Sequence, residues 1–343
     1  MARQTPSERI DRVVERILSR PRAPIPAIQI DRVFKGRAAR IIDLIPGLRD
    51  LPRPRFKARL KANLEKRAFM TTSAAGKAVN PIREGFHTVT PYVIATDGPA
   101  LIEFAKQAFG AEETFRGVGS AGGVHGEVRI GDSMLMMGGG IPGREFRAAP
   151  QAHALHVYVK NVDAVYNRAI EAGATPIHPP ADQSYGSRDG SVKDVAGNEW
   201  YISTVLQTGG ERPPELVPEA LQTVTPYLHP VRSSELIEFL KKAFGAEERY
   251  LAQSPDGVVH HAQLRIGDSM LEMGDAHGRY QPMPAMFFLY TEDVDLLYER
   301  AVKAGATSLQ APADQPYGDR VGGVKDPFGN QWYIATHIKD VPS

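Results

Sequence analysis

Two hydrophobic periods alternate along this chain, and they do so in a fixed order. Runs such as His125 to Ile130 and Leu155 to Val159 place apolar residues at every second position, the pattern of strands with one buried face. Pro99 to Phe109 and Val162 to Ala172 instead carry apolar residues at helical spacing, and Gly110 and Gly173 mark their ends. Further strands are predicted at Val89 to Ala95, Glu113 to Val118, Ser133 to Met137 and Trp200 to Thr204. The order is βαβββ, and it occurs twice between residues 86 and 206.

The whole arrangement then returns. Thr88 to Glu113 recurs as Thr223 to Glu248 with 16 of 26 positions identical, and Asn161 to Thr204 recurs without a gap as Asp293 to Thr336. A repeat this long is a domain rather than a solenoid unit. The reading is α+β: two tandem domains over 86–206 and 222–339, each a pair of βαβββ modules forming a curved open sheet. Residues 70–85 and 207–221 read as linkers, and 1–69 as a helical arm. Whether modules pair within or across repeats stays open.

Composition narrows the classes. The 343 residues contain no cysteine, which removes disulfides and thiol chemistry and fits a reducing cytoplasm. No stretch is apolar for the roughly 18 residues a membrane span needs. The net charge of +1 conceals a basic arm: residues 1 to 70 hold 18 Lys and Arg against 7 Asp and Glu. Without interleaved aromatics or a nucleic-acid motif, the arm reads as helices for self-association rather than as a nucleic-acid binder.

Several motifs occur in both copies: PYV/PYL, IEF followed by AFGA, RIGDSM, VDxxYxRAxxAGA, YGxR and KDxxGNxWYI. With the βαβββ order, they resemble the vicinal oxygen chelate superfamily, and within it the PhnB-like branch of the glyoxalase/bleomycin-resistance group. The resemblance covers roughly residues 86 to 338. It implies a cupped sheet that holds a small organic molecule, in a superfamily that includes isomerases, dioxygenases and drug-sequestering proteins. Metal-dependent members carry His or Gln on each module's first strand and Glu on its last. The matching positions here are Thr90, Ala154, Thr225 and Met286, then Met136, Tyr201, Glu272 and Tyr333. Only Glu272 suits a cation, so no metal or other cofactor is expected.

Strand alternation supplies the lining of the cups. Tyr92, His125, Glu127, Arg129, His156, Tyr158 and Tyr201 should face inward in the first repeat. Tyr227, His261, Gln263, Glu272, Phe288, Tyr290 and Tyr333 should do so in the second. Arg188 and Arg320 stand at the rims, either to meet an anionic ligand or to pair with Asp194 and Asp326. His125 and Glu127 are the candidate acid/base pair. Together with His156 they would also make two histidines and a carboxylate on one face, a ligand set of non-haem iron. The glycine runs 117–123 and 138–143 read as mobile loops over the cup, not phosphate loops. Trp200 and Trp332 should point away from it, toward the helices.

These residues predict metal-independent binding of a hydrophobic or planar compound, of a sequestration or resistance type. The alternatives are isomerase, lyase or dioxygenase chemistry in the first repeat, and a ligand-sensing interaction protein that uses the basic arm.

Overall fold

The computed structural model describes residues 79–206, 218 and 221–341. The expected helical arm, the first linker up to residue 78 and most of the second linker lie outside these residues. The first module comprises β1 (Val89–Ala95), α1 (Gly98–Phe109), β2 (Glu112–Val118), β3 (Val124–Ile130) and β4 (Ser133–Gly139). The second is β5 (Ala154–Tyr158), α2 (Val162–Glu171), β6 (Thr175–Asp182), β7 (Ser187–Lys193) and β8 (Glu199–Val205). The third is β9 (Val224–Leu228), α3 (Ser233–Phe244), β10 (Glu247–Gln253), β11 (Val259–Ile266) and β12 (Ser269–Met273). The fourth is β13 (Met286–Tyr290), α4 (Val294–Lys303), β14 (Thr307–Asp314), β15 (Asp319–Lys325) and β16 (Gln331–His337).

Local chemistry explains the helix ends. Asp97, Asn161 and Asp293 each accept the backbone N–H three residues on, at 3.0 Å, and so satisfy a donor that the first turn leaves free. Gly110 and Gly245 close α1 and α3 in the left-handed conformation, with φ of 68° and 72°. The N-cap of α3 is Arg232, which offers no side-chain acceptor. There the Asp275 carboxylate reaches over from the end of β12 and accepts from Ser233 N at 2.6 Å.

The strands form two eight-stranded sheets, and neither belongs to a single repeat. Sheet I runs β14-β15-β16-β13-β1-β4-β3-β2, joining the first and fourth modules. Sheet II runs β10-β11-β12-β9-β5-β8-β7-β6, joining the second and third. The seams are antiparallel: Thr90 stands opposite Phe288, and His156 opposite Thr225. This decides the pairing that the sequence leaves open: modules pair across the repeats, and neither repeat forms a sheet of its own. Within a repeat it is the helical layers that share a core: Leu101, Val128, Val157 and Trp200 in the first, Leu236, Leu264, Phe287 and Trp332 in the second. Inside their own repeat β1 and β5 pair along one edge only, with β4 and β8, and an unpaired strand edge is costly. β13 and β9 of the other repeat supply the missing ladders.

The RIGDSM motif makes the crossover. Asp132 accepts Thr223 N at 2.8 Å and Ser133 accepts Val224 N at 2.9 Å; Asp268 and Ser269 do the same for Thr88 and Val89 at 2.7 and 2.8 Å. Gly131 and Gly267 precede these turns with φ of 60° and 62°. A Cβ at either would lie under 2.5 Å from the opposing threonine hydroxyl, so only glycine admits the other repeat's strand.

Trp200 and Trp332 do face the helices, fully buried against Phe109 and Phe244. The glycine runs are partly hairpin loop and partly strand: Gly119, Gly122 and Gly123 form the turn between β2 and β3, while Gly117 lies in β2. Gly138 and Gly139 lie in β4, and a Cβ on Gly123 would stand 1.8 Å from the Gly139 carbonyl oxygen. Their role is close backbone packing.

Candidate functional site

The faces of the two sheets that carry no helices hold the candidate residues, and the crossover distributes them differently from the sequence reading. Tyr92, His125, Glu127, Phe288, Tyr290 and Tyr333 share the helix-free face of sheet I. His156, Tyr158, Tyr201, Tyr227, His261, Gln263 and Glu272 share that of sheet II. His156 is therefore not beside His125 and Glu127, and the iron-type set of three is never assembled.

On sheet I a polar chain runs from Tyr92 to His125 to Glu127. The Tyr92 hydroxyl lies 2.8 Å from His125 Nδ1, and His125 Nε2 lies 3.4 Å from Glu127 Oε1. The tautomer that satisfies both contacts has Tyr92 donating to Nδ1 and Nε2–H donating to the carboxylate. The chain ends on Arg83, whose guanidinium pairs with Glu127 and stacks over the Phe86 ring at 4.2 Å. Burial opposes ionisation of Glu127, but the His125 and Arg83 hydrogen bonds and the Arg83 charge outweigh it and hold the carboxyl below its usual range. Phe86 packs among Met134, Met136, Phe288, Tyr290, Val321 and Ala335, with Ile82, Tyr92 and Tyr333 at the margin. Residues 82–86 thus fill the face that the sequence assigns to a ligand.

On sheet II the carboxylate comes from the neighbouring strand. In sheet I Glu127 on β3 stands opposite Met136 on β4; in sheet II Gln263 on β11 stands opposite Glu272 on β12. Glu272 is 1% exposed. Its Oε2 accepts from His156 Nδ1 at 2.8 Å, and its Oε1 accepts from Gln263 Nε2 at 3.1 Å. His156 Nε2 lies 2.6 Å from Ser203 Oγ, so with Nδ1 protonated it accepts the serine hydroxyl. Burial pushes the Glu272 carboxyl up, yet the His156 charge and hydrogen bond prevail and bring it below the usual range. His261 is partly exposed, with Nε2 3.7 Å from Glu272 and Nδ1 3.3 Å from the Tyr227 hydroxyl. Burial lowers the His261 pKa against the pull of Glu272.

Aromatic rings wall this face. Tyr201 and Tyr227 meet edge to face at 5.4 Å, and His229 stacks on Tyr280 at 5.1 Å. The Tyr201 hydroxyl donates to Glu199 at 3.1 Å and accepts from His229 Nε2 at 2.8 Å. Burial, with help from His277 and Arg279, lowers the His229 pKa to about 4, so the ring is neutral near pH 7. Its Nδ1 is buried without a partner. Tyr158 lies against His156 at 4.3 Å, the two rings tilted by 32°. A cavity of about 400 Å³ adjoins His229 on its far side, between α3 and the segment Pro282, Met283 and Pro284. It shares no other residue with this polar set.

The remaining candidates lie elsewhere. Arg129 is exposed and paired with Glu112. Arg188 pairs with Asp163 and Asp182, and Arg320 with Asp295 and Asp314, all at 2.8 Å. Both arginines tie a helix start to a sheet edge, and Asp194 and Asp326 are not their partners. Those two carboxylates instead bind Trp200 and Trp332 Nε1 at 2.9 and 3.0 Å. The sequence reading missed Arg83, Phe86, Ser203 and His229. Ser203 was within reach: it follows Tyr201 by two residues and so shares its face.

Comparisons with known proteins agree with this architecture. A model of the Glyoxalase/Bleomycin resistance protein/Dioxygenase superfamily matches residues 233–334. Uncharacterized proteins of Mycobacterium bovis and Mycobacterium tuberculosis are each 34% identical over 129 residues, which is 34% of this chain and 85% and 76% of theirs. The chain belongs to the glyoxalase/bleomycin resistance protein/dioxygenase superfamily. Glyoxalase I from Zea mays superposes with a TM-score of 0.53 at 15% identity, over 72% of this chain and 92% of that one, a likeness of fold.

The superfamily's metal does not fit here. Sheet I offers Thr90, Met136, Met286 and Tyr333 at the ligand positions, and sheet II offers Ala154, Tyr201, Thr225 and Glu272. Both oxygens of Glu272 are engaged by protein donors. Among the described residues no three His, Asp or Glu side chains converge as a metal site would need. No helix among them is long and apolar enough to cross a membrane.

Proposed function

We propose that the helix-free face of sheet II binds a small, planar organic molecule without a metal, in the manner of the PhnB-like branch. One observation carries this reading: tyrosine rings and a few fixed polar groups converge on one face, where Tyr280 from the segment before β13 adds a further ring beside His229 and Tyr201. Such a mixture of aromatic walls and sparse polar groups is the usual lining of a small-molecule site. Tyr201 and Tyr227 are only partly buried and offer ring faces, while His261 and Gln263 offer hydrogen bonds. Burial holds both phenols neutral. Native mass spectrometry of the full chain against a library of planar aromatic compounds tests the reading. One-to-one complexes that weaken at least tenfold in Tyr227→Ala, but not in Tyr92→Ala on the other sheet, are expected. Complexes equally sensitive to both changes, or to neither, would sink it.

A second reading rests on the chain Ser203–His156–Glu272. A buried carboxylate orients an imidazole whose other nitrogen accepts a hydroxyl, an arrangement suited to moving a proton to or from a bound ligand. This shifts the acid/base role from His125 and Glu127, whose carboxylate Arg83 already engages, to His156 and Glu272. Turnover abolished by His156→Gln, with ligand binding retained, would favour it over simple sequestration. A sensing role for the basic arm concerns residues outside those described.

A further inference from the structure

We propose that the helix-free face of sheet I is a second binding site, for an aromatic cation, which the protein keeps occupied with its own Arg83 and Phe86. The observation is a ligand-like constellation already in place. A guanidinium sits on a carboxylate that is 5% exposed, and an aromatic ring lies beneath it at 4.2 Å. That ring in turn packs edge-on to Tyr290 at 5.9 Å, inside a pocket of methionine and aromatic side chains. Residues 82–86 belong to no strand or helix. They enter the face from its open side, and a turn from Phe86 N to the Arg83 carbonyl at 3.0 Å folds the two side chains together.

The face is built for positive charge independently of this segment. Glu127 is one of two buried acids there. Asp319, 1% exposed, is the other, and its charge also acts on Arg83. Asp319 accepts from the Tyr290 hydroxyl at 3.1 Å and lies 2.6 Å from His337 Nδ1, which attaches it to β15 and β16 of the fourth module. Glu127 belongs to β3 of the first. The guanidinium therefore pairs with an acid of the first repeat and lies within the field of one from the second. A core segment needs only apolar contact, and Ile82 and Phe86 provide it. Placing a cation on a buried carboxylate is instead what a charge-recognition site does, because burying either charge without the other is strongly disfavoured. On the matching face of sheet II the equivalent turn, Leu221 N to the Pro218 carbonyl at 3.0 Å, brings no arginine, and the carboxylate is met by His156.

The ligand class follows from the occupant: a planar cation joined to an aromatic ring, as in an arylamidine. Benzamidine is the probe, and benzamide, its neutral isostere, is the control. In the full-length Arg83→Ala chain, millimolar benzamidine should raise the thermal midpoint, since a ligand that binds only the folded state stabilises it. Benzamide should not. Adding Glu127→Gln should remove the difference, which separates this site from any binding on sheet II. The unsubstituted chain should show an affinity at least tenfold weaker, because its own arginine competes. Ligand-dependent recovery remains readable even where Arg83→Ala is poorly folded, and the milder Arg83→Gln provides a second background. Equal responses to benzamidine and benzamide, or a benzamidine response unchanged by Glu127→Gln, would overturn the proposal. So would no response in either Arg83 variant, and residues 82–86 would then be ordinary core.

Discussion

The helix-free faces of sheets I and II are built from equivalent strand positions, and three of the substitutions between them build the polar chain of sheet II. Where sheet II carries His156, Ser203 and Glu272, sheet I carries Phe288, Ala335 and Met136 at the matching places in the register. Sheet I keeps its acid one strand over, at Glu127, and closes it with an arginine from the segment before β1. Sheet II keeps a histidine of one repeat on a carboxylate of the other. Each face thus solves the same electrostatic problem, a buried carboxylate, with a hydrogen-bond donor of different character. Arginine stays charged at any accessible pH, whereas an imidazole can change charge and pass on a proton. A closed face with a permanent counter-ion favours stability, and a face with a titratable one is suited to binding and chemistry.

The largest effect should come from removing that balance on sheet II. Glu272→Ala leaves His156 and Gln263 without their acceptor and should cost about 3–5 kcal/mol in urea denaturation. The informative variant copies sheet I into sheet II with His156→Phe, Ser203→Ala and Glu272→Met together. Replacing a buried polar network by apolar residues is often neutral or stabilising by about 1–4 kcal/mol. The triple variant should therefore unfold no earlier than the parent while losing its ligands. A triple variant as unstable as Glu272→Ala would show that the two faces are not interchangeable.

Acid should distinguish the faces next. Burial lowers the His229 pKa to about 4 from the ordinary 6.5, and the unfolded chain regains the ordinary value. Between those values the unfolded state binds the extra proton, so His229 opposes folding increasingly as pH falls, by about 3 kcal/mol at the acid end. Its contribution vanishes above pH 6.5. Glu127 and Glu272, both held below their usual range, begin to lose stability only as pH falls below about 4.5. His87 and His337 shift the other way, raised by carboxylate partners despite burial, so their stabilisation is full at low pH and is lost as pH rises through their raised values. The difference between parent and His229→Gln isolates one residue from these opposing slopes. It should be flat above pH 6.5 and grow toward pH 4 in favour of the variant. A difference independent of pH would mean that His229 binds its proton equally well in the folded and unfolded chain.

The elements were legible because each follows from a local pattern. β1 runs from Val89 to Ala95 as its apolar pattern predicts, and Gly110 ends α1 as its position implies. Inward and outward faces were legible too, since alternation alone separates Tyr201 from Trp200. The pairing of modules was not, because identical motifs in both repeats satisfy either arrangement. Asp132–Ser133 could cap β1 or β9, and only the packed structure shows that it caps β9. The occupied face was hidden for a different reason. Arg83 falls in the stretch 70–85 that reads as a linker, and the Arg83–Glu127 contact spans 44 positions without any periodic signal.

The smallest effect concerns residues that sequence alone would mutate first. Arg188 and Arg320 stand in the YGxR turns and invite a role as anion receptors at the rim. Each is partly exposed and already grips two carboxylates, one from the start of a helix and one from the edge strand beside it. Exposed pairs of this kind add little to stability, because water solvates the separated charges nearly as well. Their donors also point along the outside of the sheet, toward the helix layer, rather than over the tyrosines. Arg188→Gln and Arg320→Gln should therefore leave ligand affinity on sheet II unchanged and the thermal midpoint nearly so. A marked loss of affinity in Arg188→Gln, with no loss in Arg320→Gln, would extend the binding face of sheet II out to β7. It would also sharpen the difference between the two sheets.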